Sequence, residues 1–112
     1  MNASDFKEVF DSNKLKVANS SLLILAKPSS SVHSRLGLVI AKKNIPTAVQ
    51  RNRVKRVARE TFRHQNFTVP MDIVFLARSR ANQLSNNQLT ELLIKAWVDL
   101  ETRCNALECS HA

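Results

Sequence analysis

Features typical of several protein classes are scarce in this chain of 112 residues. Its two cysteines, Cys104 and Cys109, lie close together near one end and give no framework for a fold held by disulfides. No apolar run approaches the roughly 20 residues that span a bilayer, and the first residues lack the order of a secretory signal. We therefore expect a soluble, cytoplasmic protein with reduced thiols and no membrane partner.

Acidic residues are also few, since 9 Asp and Glu stand against 17 Lys and Arg, for a net charge of +8. His33, Glu60, His64 and Asp72 are the residues from which a metal or acid–base site might be assembled, and their spacing suggests none. A nuclease with its own active site needs clustered carboxylates, and no such pair is present. We predict that the protein binds no metal or cofactor and holds no catalytic residue.

The positive charge is concentrated in one segment, because five of the eight net charges fall between Ala48 and His64. At helical spacing the residues of this segment separate into two sides. The apolar side carries Val54, Val57, Ala58, Thr61 and Phe62. The opposite side carries Asn52, Lys55, Arg56, Arg59 and Arg63, with Arg51 near the boundary. The pattern predicts a helix that packs on one side and binds a polyanion on the other.

The remaining sequence predicts short elements in a fixed order. Ser4 is a candidate cap for a helix that ends near Asn13 and places Phe6, Val9 and Phe10 on one face. Extended structure follows from 14 to 27, interrupted at 19–21, and further strands are expected at 35–41 and 71–77. We expect the strand at 22–27 to pair with the strand at 35–41.

Two capping residues are expected at the other helices. Thr47, after Pro46, is a candidate cap for the basic helix, and Ser85 for a long amphipathic helix with Trp97 in the core. The order predicts an α+β fold: a two-layer sandwich of about four strands with helices packed on the sheet, in a split βαβ arrangement. We expect one polyanion-binding domain over residues 1–112, with a mobile C-terminal tail from about residue 104.

The run Arg51–Arg63, with its surroundings, closely resembles the basic signature helix of the bacterial ribonuclease P protein component. The segment from Phe6 to Phe10 resembles that family's N-terminal aromatic helix, Arg35 to Lys43 its central strand and following lysines, and Met71 to Ala77 its last strand. The resemblance extends from about residue 5 to residue 97. It implies an α+β sandwich with an uncommon left-handed crossover, against the usual right-handed rule.

The same resemblance implies a function. In this family a catalytic RNA subunit hydrolyses the phosphodiester bond with divalent metal, so Mg²⁺ is required by the ribonucleoprotein rather than bound by the protein. The protein assists removal of the 5′ leader of precursor tRNA, and its partners are the RNA subunit and that precursor. No obligate protein partner is evident.

Site residues follow position by position from the family motif. The RNA-binding positions are Arg51, Asn52, Arg53, Lys55, Arg56, Arg59 and Arg63. The leader-binding positions are Phe6, Phe10, Lys42, Lys43 and Arg51. If all six cations of the helix contact phosphates, RNA affinity falls about a thousandfold between roughly 50 and 200 mM salt.

One departure from the family concerns stacking on the leader. Some members place a tyrosine on the strand that faces the leader, whereas this chain has Leu25 there and contains no tyrosine. That stacking partner is expected to be lost, so that leader binding depends more on Phe6, Phe10 and Arg51.

Two other interpretations of the basic helix stay open at this point. A helix with this many cations is often only a solvated face. A ribosomal or chaperone-type RNA-binding protein with the same architecture and no processing role has a similar composition.

Overall fold

The computed structural model describes residues 3–29, 32–65, 67 and 69–110, except for the side chains of 106–110. It contains a mixed four-stranded sheet and three α-helices. In chain order these are α1 (Ala3–Ser12), β1 (Leu15–Ala18), β2 (Leu22–Pro28), β3 (Arg35–Val39), α2 (Ala48–Arg63), β4 (Met71–Ala77) and α3 (Asn86–Ser110). A short 3-10 helix, Ser79–Gln83, joins β4 to α3. The α+β sandwich of four strands is confirmed.

The strands are ordered β1-β2-β4-β3 across the sheet. β2 is antiparallel to both β1 and β4, whereas β3 runs parallel to β4. The expected pairing of β2 with β3 is therefore wrong, because β4 lies between them. A parallel pair needs a crossover connection, and α2 provides it by carrying the chain from the end of β3 back to the start of β4. The left hand of this crossover stays a prediction.

Two of the three predicted caps start their helices, whereas the prediction for Ser4 is wrong, because α1 already begins at Ala3. Thr47 Oγ1 accepts a hydrogen bond from the backbone N of Gln50 at 3.3 Å, which confirms Thr47 as the cap of α2. Ser85 Oγ accepts from Gln88 N at 3.2 Å while Gln88 Oε1 accepts from Ser85 N at 2.9 Å, a reciprocal pair that starts α3. β1 and β2 are separated where Asn19 Oδ1 accepts from the backbone N of Ser21 and of Leu22.

The main core lies between one sheet face and the helices α2 and α3. Trp97 is fully buried, as predicted, and packs edge-on against Phe62 with ring centroids 5.6 Å apart. Its indole Nε1 donates to Thr61 Oγ1 at 2.8 Å, so the buried N–H is satisfied and α3 is tied to α2. The Phe62 ring also lies 5.8 Å from that of Phe67.

Helix α3 continues past the predicted start of the tail. Cys104 lies inside this helix and is fully buried among core residues. It therefore belongs to the core rather than to a tail, because α3 packs along β1 at this level. The side chains of residues 106–110, among them that of Cys109, lie outside the described part, as do the last two residues. The mobility of the end therefore stays a prediction.

The opposite sheet face carries α1. Val9 is fully buried on Leu25 and Val74, which face each other across β2 and β4. Arg35 of β3 donates to Asp72 of β4 from Nε at 2.8 Å and from NH2 at 2.7 Å, and its NH1 lies 3.3 Å from Asp5 of α1. A second ion pair joins Glu8 of α1 to Lys27 of β2. Apolar contact and two ion pairs thus hold α1 on this face.

The Arg35–Asp72 pair predicts a pH-dependent contribution to stability. The hydrogen bonds from Arg35 hold the pKa of Asp72 below its usual value, although burial opposes this. Since the pKa is lower in the folded state, the contribution is present above about pH 4 and is lost as pH falls through the folded-state pKa. Asp72→Asn is expected to lower the free energy of unfolding by about 1.5 to 3 kcal/mol near neutral pH.

Urea denaturation of both proteins, followed by Trp97 fluorescence over a pH series, measures this difference, which should shrink below about pH 4. Asp99→Asn is the matched control, since Asp99 makes an exposed ion pair with Arg103 on α3. A constant deficit for Asp72→Asn down to pH 2 would show that the loss is not electrostatic.

Candidate nucleic-acid interface

The side of α2 that faces away from the core carries the predicted cluster of cations. Val54, Ala58 and Thr61 are buried beneath the helix. Opposite them the structure exposes four residues, which we call the exposed basic face: Asn52, Arg56, Arg59 and Arg63. Lys55 lies at one border of this face and is partly buried. The separation into an apolar and a basic side is as the sequence predicts.

Two arginines of the predicted set turn toward the protein. Arg53 donates from Nε to Gln50 Oε1 at 2.7 Å, from NH1 to Asn86 Oδ1 at 3.1 Å and from NH2 to the carbonyl of Asn82 at 3.4 Å. It therefore connects α2 to the 3-10 helix and to the start of α3. Helical spacing alone does not distinguish this role from RNA contact, because two of the three partners of Arg53 lie 29 and 33 positions further along the chain.

Arg51 holds the loop before α2. Its NH1 donates to the carbonyls of Ile45 at 3.0 Å and Pro46 at 2.8 Å. Its Nε and NH2 make no hydrogen bond within the described part of the chain, so they stay available for a ligand. The loop that Arg51 holds also carries Lys42 and Lys43, which places Arg51 between the exposed basic face and these lysines.

Glu60 orders the end of the exposed basic face. Its Oε1 lies 2.6 Å from Arg63 NH2 and 3.1 Å from His64 Nε2. The hydrogen bond to His64, and then that to Arg63, lowers the pKa of Glu60 below its usual value. Glu60 thus remains ionised at neutral pH and fixes the direction of the Arg63 guanidinium.

Lys55, Arg56 and Arg59 have no hydrogen bond or ion pair with any residue that the structure describes. Neighbouring like charges on a helix repel each other by a few tenths of a kcal/mol per pair. An anionic partner would remove this repulsion, and arginine suits phosphate because its planar guanidinium can donate two parallel hydrogen bonds. The arrangement therefore favours a polyanion over a solvated surface.

A groove opens on the sheet face that carries α1, at the ends of β3 and β4. It encloses about 290 Å³ and has an apolar floor of Leu23, Val39 and Leu76. Lys43 and Arg78 line its rim. Asn44 Nδ2 donates to the carbonyl of Ala77 at 3.1 Å and so fixes the lysine-bearing loop to the end of β4. We call this the strand-end groove.

Of the five predicted leader-binding residues, one lines this groove. Phe6 does not line the groove, but it packs against the same buried cluster of α1 and the sheet as the floor residues Leu23 and Leu76. Phe10, one turn further along α1, is 43% exposed and is therefore available for stacking. Lys43 lines the groove, whereas Lys42 is exposed beside it without lining it.

Arg78 is a groove residue that the sequence analysis did not identify. Arg78 follows β4 directly, and its backbone N donates to the carbonyl of Ser21 at 2.9 Å. The position of Arg78 directly after β4 could have indicated this role, because the ends of parallel strands such as β3 and β4 lie side by side in a sheet.

Leu25, which stands where some relatives are expected to have tyrosine, lies under α1 and is 7% exposed. It contacts Val9 and Val74 rather than the open part of the sheet face. A leucine here completes the packing of α1 and offers no aromatic surface to a ligand.

The interface combines cations with apolar and aromatic surface. Among the described residues, no three His, Cys, Asp or Glu side chains lie together in a way that could hold a metal ion. No helix in the described ranges is long and apolar enough to cross a membrane. Cations beside stacking surfaces are the arrangement that binds single-stranded nucleic acid.

Comparison with known proteins gives a consistent result. The model of the family described as "Ribonuclease P" matches residues 1–101. The ribonuclease P protein component of Azotobacter vinelandii is 42% identical over 96% of this chain and 87% of that protein. That of Pseudomonas aeruginosa is 46% identical over 87% of this chain and 73% of that protein.

Solved structures agree with these relatives. The RNase P protein of Staphylococcus aureus superimposes with a TM-score of 0.75 at 29% identity, covering 86% of this chain and 91% of that one. The protein from Thermotoga maritima gives a TM-score of 0.65 at 28% identity, covering 81% and 90%. Both the sheet and the helices that present the interface are therefore shared with these proteins.

The two kinds of arginine on α2 predict opposite effects on folding. Arg53→Ala removes bonds to Gln50, Asn82 and Asn86 and is expected to lower the free energy of unfolding by about 1 to 2 kcal/mol. Arg59→Ala removes an exposed cation without a described partner and should change it by less than about 0.5 kcal/mol. Urea denaturation of the two variants measures the contrast, and equal stabilities would contradict a structural role for Arg53.

Proposed function

Because the chain belongs to the ribonuclease P protein family, a component of the endoribonuclease that processes tRNA, we propose that its exposed basic face binds the catalytic RNA subunit of that enzyme. We further propose that the strand-end groove and α1 bind the 5′ leader of precursor tRNA. The observation that carries the proposal is that Lys55, Arg56 and Arg59 have no partner among the described residues, on a helix beside a groove with cationic and apolar walls.

Contacts with the RNA subunit are assigned to those cations that the protein leaves available. Lys55, Arg56, Arg59 and Arg63 present their charge outward, and Asn52 adds an amide beside them. Arg53 is excluded from this set because its guanidinium is engaged by three protein groups. Four phosphate contacts rather than six lower the expected loss of affinity between roughly 50 and 200 mM salt to about a hundredfold.

The leader is assigned to the strand-end groove because a single strand offers both phosphates and base faces. Lys43 and Arg78 supply positive charge at the rim, with Lys42 and Arg51 beside it. Phe10 offers an exposed ring, and stacking of a base on an aromatic side chain contributes about 1 to 3 kcal/mol. Phe6, which is half-buried against the sheet, supports the apolar floor rather than presenting a free ring.

The protein acts in this proposal by binding and positioning, and hydrolysis belongs to the RNA subunit. Divalent metal would stabilise the charge that develops on the phosphate oxygens during hydrolysis. The described side chains form no cluster that fits such an ion, so we assign the Mg²⁺ requirement to the RNA. The cations of the protein lower the repulsion between the phosphates of the two RNA molecules and thereby favour their association.

The RNA-subunit assignment predicts a change in the salt dependence of assembly. Arg59→Ala is expected to weaken binding to the cognate RNA subunit and to reduce the slope of log affinity against log salt by about 0.7 to 0.9. Equilibrium binding at several salt concentrations measures both quantities. Glu91→Ala, on the exposed side of α3, is the control, and the protein alone should cleave no precursor tRNA. Cleavage by the bare protein would support a protein nuclease instead.

The leader assignment predicts a substrate-dependent effect. Phe10→Ala is expected to weaken binding of leader-bearing precursor tRNA to the assembled enzyme by roughly fivefold or more, because one stacking surface is removed. Mature tRNA, which lacks the leader, should bind unchanged. Val98→Ala, an exposed apolar residue of α3, serves as the matched control. An equal loss for both RNAs would remove the argument for a leader site.

A further inference from the structure

A second concave surface lies at the C-terminal end of α2, away from the strand-end groove. It encloses about 290 Å³ between the end of α2, the residues before β3 and the residues before β4. Its walls include His33, Phe62, Arg63, Gln65 and Phe67. We call this the helix-end cleft. Its volume is near the lower limit for small-molecule sites, which leaves room for one nucleobase and not for an extended strand.

Two aromatic rings form the apolar wall of the helix-end cleft. The Phe62 and Phe67 rings are inclined at 40° with centroids 5.8 Å apart, and Phe62 is held from behind by the edge contact with Trp97. Both side chains are partly exposed. A fixed, partly exposed aromatic surface is what an unstacked base of folded RNA packs against.

Polar groups surround this wall in a pattern that fits a base edge. Gln65 follows α2 directly, and its position is fixed by the hydrogen bond from its backbone N to the carbonyl of Phe62 at 3.0 Å. Its side-chain amide has no hydrogen bond with a described residue, so both its donor and its acceptor are available. An amide that donates and accepts side by side can pair with the edge of a base. Ser34 also borders the cleft, but its hydroxyl already accepts from Met71 N at 3.0 Å.

Arg63 connects the helix-end cleft to the exposed basic face. It lines the cleft, and it is also the last cation of that face. Glu60 holds its guanidinium in place at 2.6 Å. A phosphate bound by Arg63 would therefore place the attached nucleotide at the mouth of the cleft.

The location decides which RNA molecule can reach the helix-end cleft. The 16 residues of α2 span roughly 24 Å, with the strand-end groove near the first turn and the cleft at the last. The cleft also lies where β3 and β4 begin, whereas the groove lies where these strands end. A leader bound in the groove is thus separated from the cleft by the length of the helix.

We propose that the helix-end cleft receives one unpaired nucleobase of the catalytic RNA subunit, stacked on Phe67 and Phe62 and hydrogen-bonded by Gln65. This inference rests on the proposed binding of the RNA subunit by the exposed basic face. Phosphate contacts carry no sequence information, whereas a contact with this nucleobase can recognise a particular base.

The test compares variants of the cleft with a variant of the basic face. Phe67→Leu keeps an apolar side chain but removes the ring, and it should lower affinity for the cognate RNA subunit roughly fivefold or more. Gln65→Ala should lower it roughly two- to tenfold. Neither change removes a charge, so the salt slope should equal that of the wild type, whereas Arg59→Ala reduces it.

Chemical probing of the RNA locates the base. The reagent modifies the Watson–Crick edges of unpaired bases. We expect the wild-type protein to protect one base from modification. That base should become reactive again in complexes with Phe67→Leu or Gln65→Ala. Asn105→Ala, an exposed amide on α3, should keep the protection. Thermal unfolding checks that Phe67→Leu folds, and Gln65→Ala tests the cleft even if it does not.

The outcomes separate the two proposals. Suppose that Arg59→Ala weakens assembly, while Phe67→Leu and Gln65→Ala bind normally and leave the modification of every base unchanged. The helix-end cleft then has no ligand, and the proposal for the exposed basic face is retained. If Arg59→Ala also binds normally with an unchanged salt slope, the proposed function itself fails. Reduced binding of leader-bearing precursor by Gln65→Ala, with normal assembly, would place the leader in the cleft and overturn the inference.

Discussion

The parallel pairing of β3 with β4 is the constraint on which the interface depends. Two parallel neighbours need a connection that returns along the sheet, and α2 provides it by packing Val54, Ala58 and Thr61 into the core. The return path fixes both ends of α2. Its first turn lies where β3 and β4 end, beside the strand-end groove, and its last turn lies where they begin, beside the helix-end cleft. One crossover thus presents a row of cations between two concave surfaces.

Packing and charge make different demands on α2, and the arginines divide between them. Arg53 and Arg51 satisfy protein carbonyls and amides and so fix the helix against its neighbours. Arg56 and Arg59 remain unpaired within the described structure. Guanidinium serves both purposes because it donates up to five hydrogen bonds in a fixed geometry, whether to backbone carbonyls or to phosphate oxygens. A rigid helix that exposes uncompensated charge is suited to bind RNA with little reorganisation.

Much of the fold was predictable because the local signals agree with one another. Thr47 and Ser85 cap the helices that their positions predict, β4 has the predicted limits, and Trp97 lies in the core. The prediction of the strand order failed at β2 and β3. Proximity along the chain favours pairing of successive strands. In the structure β4 lies between β2 and β3 instead, and it pairs antiparallel with β2 and parallel with β3. Hydrophobic periodicity carries no information on which strand becomes the neighbour.

The sequence by itself determined the two-sided character of α2 and the family to which the chain belongs, since both depend on residue types at fixed spacing along one segment. Only the tertiary structure decided which arginines remain available, because the groups that engage Arg53 come from residues 82 and 86, far along the chain. The same holds for Arg78 in the groove and for Phe67 beside Phe62 in the cleft. Contacts between distant segments depend on how the sheet closes, and a one-dimensional pattern cannot specify them.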